Sequence, residues 1–232
     1  MDWVWGHLDE IWGLTLSHIE LSVPPILLGF LISIPFGYWA SRSRTARAAL
    51  LTIGNILYTI PALALVVLVP VLLGLSLLNP LNVVVALTIY AVAIMVRSAA
   101  DAFAAVDEPV KQSATAQGFS AAQRFFRVEF PLAGPVLLAG LGVVSVSTIS
   151  LVTVGALVGI ESLGSLFTDG FQRNFLTEAV AGFVLVLLLA AVFDLLLSLL
   201  GRLLMPWNRG AKPRTEDIAR AALPAVPVGE VR

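Results

Sequence analysis

Asp194 is the only acidic residue well inside a predicted apolar span of this chain. A charge exposed to lipid costs several kcal/mol, so a carboxylate within a membrane segment is by default a functional candidate. Its chemistry would be proton relay, but no His, Asp or Glu accompanies it in the span. The plainer reading has Asp194 facing the helix bundle, or reaching toward the inner surface, and pairing with a base. His7 and His18 read as residues of the outer interface, and two histidines without convergent ligands do not make a metal site. HExxH, GxSxG, P-loop and Gly-rich dinucleotide motifs are all missing from the sequence. With no cysteine, disulfides, thiol catalysis and thiolate-bound metals are excluded. An intramembrane enzyme would need a nucleophile and base, and the sequence offers no such pair.

Two polar patches interrupt the apolar spans. Asn55, Tyr58, Thr59 and Pro61 form one, in the stretch NILYTIP. Ser145, Ser147, Thr148, Ser150 and Thr153 form the other. Small and hydroxyl-bearing residues let membrane helices approach and hydrogen-bond across the contact. The same residues suit a path for a neutral or zwitterionic solute, with Asn55, Tyr58, Thr59, Pro61, Ser145 and Thr148 as its candidate lining. Arg97 and Asp101 have the spacing of a pair on one helix face. Ordinary anchoring of Arg97 at the inner surface is the competing, and preferred, reading.

The elements that must hold these residues are membrane helices. Of the 232 residues, 58% are hydrophobic and 12% charged, about half the charge share of a soluble domain. Mean hydropathy is +0.93. The expected fold is all-α and integral to the membrane. Segments near residues 21–40, 50–73, 83–100, 132–154 and 179–200 each have the roughly 20 apolar residues that cross a bilayer core. Pro24, Pro25 and Pro35 should bend the first, and Pro61 and Pro70 interrupt the second. Residues 1–20, with Trp3, Trp5 and Trp12, read as an interfacial segment. The opening MDWVWGHLDE is not expected to be a signal peptide. Residues 155–178 are too polar to span and have room for a short helix or two. Residues 21–205 form the membrane domain, and 206–232 a tail expected to be disordered.

Five spans place the termini on opposite sides. Arg42, Arg44, Arg47, Arg97, Lys111, Arg124, Arg127 and all the bases of the tail then share one side, with Arg173 alone on the other. By the positive-inside rule the N-terminus is outside and the C-terminus cytoplasmic. The net charge of −1 predicts no bulk attraction to nucleic acid. The length leaves no room for a nucleotide-binding or solute-capturing domain, which is expected on other chains.

The longest polar segment between spans, residues 101–131, falls on the cytoplasmic side. Asp107 and Pro109 suit a helix start, and Gly118 a helix end. Ser120 and Gln123 have capping-box spacing for a second helix. Pro131 is expected to punctuate the loop and keep that helix from extending into the fourth span. Phe119, Phe125 and Phe126 read as apolar anchors for a partner, and Lys111, Arg124 and Arg127 as steering charges or cytoplasmic anchors.

This segment resembles the EAA loop of binding-protein-dependent ABC importer permeases, whose pattern is E-A-A, three residues, G, nine residues, I-x-L-P. Here the positions read Gln112, Ser113, Ala114, then Gly118, then Val128, Glu129, Phe130 and Pro131. Gln112 replaces the Glu of the pattern and Ser113 the first Ala. Residues 14–205 also look like the osmoprotectant branch, which imports glycine betaine, proline, choline or carnitine. The resemblance implies a type I importer core of five helices in a bacterial cytoplasmic membrane. It implies two permeases, identical or paralogous, on two ATP-binding subunits, and an external solute-binding protein. ATP and Mg would then be bound by the partner ATPase and none by this chain. The loop, with Gln112, Ser113, Ala114, Gly118, Phe119, Phe125, Val128 and Pro131, would enter a cleft on that ATPase. An importer for another solute such as an amino acid is the nearest alternative, and a secondary carrier using Asp194 a more distant one.

Overall fold

The computed structural model describes residues 2–207, so the predicted tail lies outside the described residues from 208 onward. The helices are α1 (Asp2–Gly6), α2 (Leu8–Arg42), α3 (Arg44–Thr59), α4 (Ala62–Leu73) and α5 (Leu81–Ala104). They continue as α6 (Glu108–Ala116), α7 (Ala121–Arg124), α8 (Phe130–Val152), α9 (Ser165–Gln172) and α10 (Leu176–Leu204). A π turn, Phe125–Glu129, joins α7 to α8, and a 3₁₀ turn, Thr153–Val158, follows α8.

The closest seam lies between α2 and α5. Gly29, Ser33 and Gly37 recur every fourth residue of α2 and are buried. A Cβ at Gly37 would lie 2.8 Å from the Ala99 carbonyl carbon, so only glycine lets the two backbones meet there. Small-residue stripes of this kind replace the hydrophobic effect, which offers nothing between helices already in lipid. Residues 8–20 belong to this same 35-residue helix, so the interfacial segment and first span are continuous.

The second predicted span is broken. α3 and α4 meet at 99° across Ile60 and Pro61. A residue before proline is driven out of the helical region, and Ile60 is extended at ψ 128°. The Tyr90 hydroxyl donates to the freed Ile60 carbonyl. Among the described residues, four helical segments are long and apolar enough to cross a membrane, or five if this bent pair counts as one.

α8 packs against α5 and antiparallel to α10, with Gly201 beside Leu138 and Asp194 beside Gly142. Three clusters form the core: Leu87 and Tyr90 with Val66, Phe103 and Met95 with Leu137, and Ile149 with Leu163 and Leu166. Most leucines of α10 are exposed on the single chain, as expected of a surface against lipid or another membrane subunit.

Candidate coupling loop and membrane path

Helix α5 carries Asp101 inside its last turn, so the exposed loop starts only at Ala105. Asp107 occupies the N-cap of α6 without a side-chain cap bond, and Pro109 sits in the first turn. At the other end Gly118 N–H donates to the Thr115 carbonyl and Phe119 N–H to that of Ala114, which closes the helix as a Schellman motif. This requires a left-handed residue, and Gly118 has φ +85°. Nothing lies within 4 Å of a Cβ built there, so conformation rather than space demands the glycine. The capping box is complete: Gln123 N–H donates to Ser120 Oγ at 3.3 Å, and Ser120 N–H to Gln123 Oε1 at 2.9 Å.

Pro131 does not end the second helix. The chain runs from α7 through the π turn into α8, with Phe130 N–H donating to the Phe125 carbonyl. A proline inside a helix cannot bond the carbonyl four residues back and crowds it. The wider π turn immediately before Pro131 offers room for that misfit.

The loop's side chains divide between surface and interior. Gln112 and Ser113 are exposed, whereas Ala114 is buried. Phe119 and Val128 are half-buried, as is Pro131. Phe126 projects outward, at 69% exposure. Phe125 is half-buried and instead points inward, packing on Tyr38, Phe103 and Phe130. Arg124 is likewise engaged within the chain. Its Nε donates to Glu129 Oε1 at 2.8 Å and its Nη1 to Thr115 Oγ1 at 2.9 Å.

Glu129 was not among the sequence-derived site residues, yet it is the polar centre of this end of the molecule. It is 1% exposed. Arg42 Nη2, from the end of α2, reaches its Oε1 at 3.1 Å, and the Tyr38 hydroxyl donates to the same oxygen at 3.4 Å. Arg42 also lies 4.3 Å above the Tyr38 ring. Its signal in the sequence was a lone acid among Arg124 and Arg127, but Arg42 is 87 positions away. A cleft of about 710 Å³ opens beside this cluster, between the end of α2 and α6, with Arg42, Lys111, Gln112 and Arg124 in its wall.

The candidate path residues separate into two groups. Asn55, Tyr58, Thr59 and Pro61 are exposed around the α3–α4 break. Arg97 donates to Asn55 Oδ1 at 3.2 Å, and Tyr58 stands edge-on to Tyr90. Arg97 therefore does not pair with Asp101, which takes Arg47 instead. Ser145 and Thr148 are buried on α8. Ser145 Oγ has no hydrogen-bond partner among the described residues. His18, read as interfacial, is fully buried against α8, with its Nε2 2.9 Å from the Ile149 carbonyl. It belongs to the helix core because α2 is continuous from Leu8. Asp194 lies in the wall of a groove between α8 and α10 that includes Ser147 and Ser198.

The model of the family described as "Binding-protein-dependent transport system inner membrane component" matches residues 21–210. The choline transport system permease protein OpuBB of Bacillus subtilis is 29% identical over 83% of this chain and 87% of its own length. The carnitine transport permease protein OpuCD of Listeria monocytogenes is 28% identical over 91% of this chain and 92% of its own. A Helicobacter pylori protein named ergothioneine transport permease/ergothioneine binding protein EgtU is 36% identical over 74% of this chain, which spans only 31% of that protein. Among solved structures, an inward-facing MetNI methionine ABC transporter chain superposes with a TM-score of 0.72 at 20% identity, covering 84% of this chain and 95% of that one. The helical bundle thus has the fold of an ABC transporter membrane subunit. With a family match running from α2 past the end of α10, the chain belongs to the inner membrane components of binding-protein-dependent transport systems.

Proposed function

We propose that this chain is the membrane-spanning permease of an ATP-driven importer for small quaternary-ammonium solutes of the glycine betaine, choline and carnitine type. The observation that carries this reading is the agreement among relatives aligned over most of both chains: choline for OpuBB, carnitine for OpuCD, osmoprotectants for OsmW of Salmonella typhimurium. Choline and carnitine share a trimethylammonium group, as does ergothioneine, named for the Helicobacter pylori relative. A common cation chemistry is a stronger guide to solute class than any single name.

In this reading the N-terminus is outside and the loop faces the cytoplasm of a bacterial cell. Two ATP-binding subunits, carrying ATP and Mg, contact two permeases, and a solute-binding protein docks outside. Exposed Gln112 and Ser113, the Gly118 turn and Phe126 meet the ATPase. Asn55, Tyr58 and Thr59 at the α3–α4 break, and Ser145 and Thr148 within α8, are the candidate path. Stiffness along the loop comes from the Schellman closure of α6 at Gly118 and from the continuity of α7 with α8 through the π turn.

The test is uptake by proteoliposomes holding this chain with its ATPase and binding protein. Labelled glycine betaine, choline and carnitine are offered in turn, with and without ATP. ATP-dependent uptake of at least one is expected. Uptake by this chain alone without ATP, or uptake of ordinary amino acids in place of all three, overturns the assignment.

A further inference from the structure

The coupling loop is joined by the backbone to α5 and α8 only, yet its side chains grip α2. Glu129 Oε1 accepts from Arg124 at 2.8 Å, from Arg42 at 3.1 Å and from Tyr38 at 3.4 Å. Arg124 in turn donates to Thr115 on α6 at 2.9 Å. A single file of polar contacts therefore runs Thr115–Arg124–Glu129–Arg42, from the exposed helix α6 to the end of α2.

We propose that Glu129 is the joint that delivers movement of the coupling helix α6 to the first span, making it a positioning residue for coupled transport. This rests on the reading of residues 101–131 as the loop that meets the ATPase. Three observations carry the inference. The Glu129 side chain is 2% exposed while Arg42 is 44% exposed, so the carboxylate is the buried anchor and the guanidinium its reach toward the surface. Charge-assisted bonds to a buried carboxylate are strong and directional, and Arg124 spans the joint with Nε on Glu129 and Nη1 on Thr115. Beneath the joint, the rings of Tyr38 from α2, Phe103 from α5 and Phe125 from the π turn pack on one another, so the four-residue polar file rests on a stiff base. Finally, Glu129 closes the π turn, the one irregular step between α7 and α8. That irregularity turns Glu129 inward while Phe126 stays outward. The wall of the adjacent cleft includes Arg42 and Arg124, which leaves room for α6 to shift against α2 when the joint is released.

The chain has no native cysteine, so the joint can be probed with labels placed cleanly. Ser41→Cys and Glu108→Cys put spin labels on the end of α2 and the start of α6, across the cleft. The interspin distance is measured in the assembled transporter, first without nucleotide and then trapped with ATP and vanadate. With Glu129 present, one narrow distance is expected in both states. With Glu129→Gln, the distribution should broaden or shift on trapping. Solute carried per ATP hydrolysed should fall by about tenfold while hydrolysis per assembled complex is retained. Glu129→Asp should recover part of the ratio. Thr115→Val cuts the file at an exposed position and cannot plausibly unfold the chain; it should move distance and ratio in the same direction, by less. Unchanged distances with an unchanged ratio overturn the proposal. So does a parallel loss of hydrolysis and transport with unaltered distances, which would leave Glu129 a purely structural ion pair. If the wild-type chain fails to copurify with any ATP-binding subunit, the functional reading falls, and that result is distinct from either outcome for Glu129.

Discussion

Two glutamates are buried at opposite ends of the antiparallel α8–α10 pair, and they are held in different ways. Glu129, where α8 begins, has two arginines and a tyrosine around it. Those partners arrive from α2 and α7, up to 91 positions away. Glu178, in the first turn of α10, pairs with Arg173 only five residues back, and its Oε2 has no partner among the described residues. A helix N-terminus favours a carboxylate, which offsets part of the burial of Glu178. The first arrangement ties remote elements together, and the second closes a local turn. The difference teaches where mechanical force can travel. A pair within one turn cannot transmit displacement between helices, whereas a carboxylate shared by three segments must move with all of them.

Removing each carboxylate in turn is the most direct way to break this contrast. Glu129→Gln leaves two guanidinium groups with no opposing charge, so thermal unfolding of the purified chain should show a loss of about 3 kcal/mol, the lower range for a broken buried pair. Glu178→Gln should cost about 1 kcal/mol, because Arg173 is 59% exposed and water replaces its partner. Equal losses would erase the distinction drawn here. Between these two in size lies Gly37→Ala, which overpacks the α2–α5 seam beneath the joint. A loss of about 2 kcal/mol is expected by the same unfolding assay, and an unaffected protein would show that the seam yields easily. Gly118→Ala should cost about 1 kcal/mol through its left-handed backbone, with coupling to ATP hydrolysis weakened by a shifted loop tip. Normal solute-to-ATP ratios in that variant would shift the weight of coupling from the tip of the loop to its base. The smallest expected effect is that of Ser120→Ala, about 0.5 kcal/mol, from one lost cap bond. Hydrogen exchange confined to α7 would sharpen the view that the loop is a chain of locally closed pieces.

What could be read from the residues divides along the same line. The end of α6 at Gly118 and the capping box of Ser120 and Gln123 were legible because their partners lie within a few positions. The break at Pro61 was also visible, although not its angle, since proline bars the helical bond but does not set where the next helix goes. Asp101 illustrates the opposite case. Arg97 has the right spacing for it, yet Arg47 across the α3–α5 contact takes the carboxylate. His18 reads as interfacial for a first span starting near residue 21, and its burial against Ile149 follows only from a helix that is continuous from Leu8. Pro131 reads as a stop because a five-residue π turn leaves no mark in hydrophobic periodicity. Phe125 and Phe126 are neighbours of the same type, and only packing decides that one faces the core and the other solvent.

Composition, span length and charge asymmetry therefore determined that this is a helical membrane protein with one built polar loop. Each of those properties depends on the chain's own hydrogen bonding and its transfer into lipid, which are local quantities. The tertiary structure alone decided that the loop is pinned to α2 by Glu129. A buried carboxylate takes whichever donors the packed helices bring to it, and their identity is fixed by the fold rather than by distance along the chain.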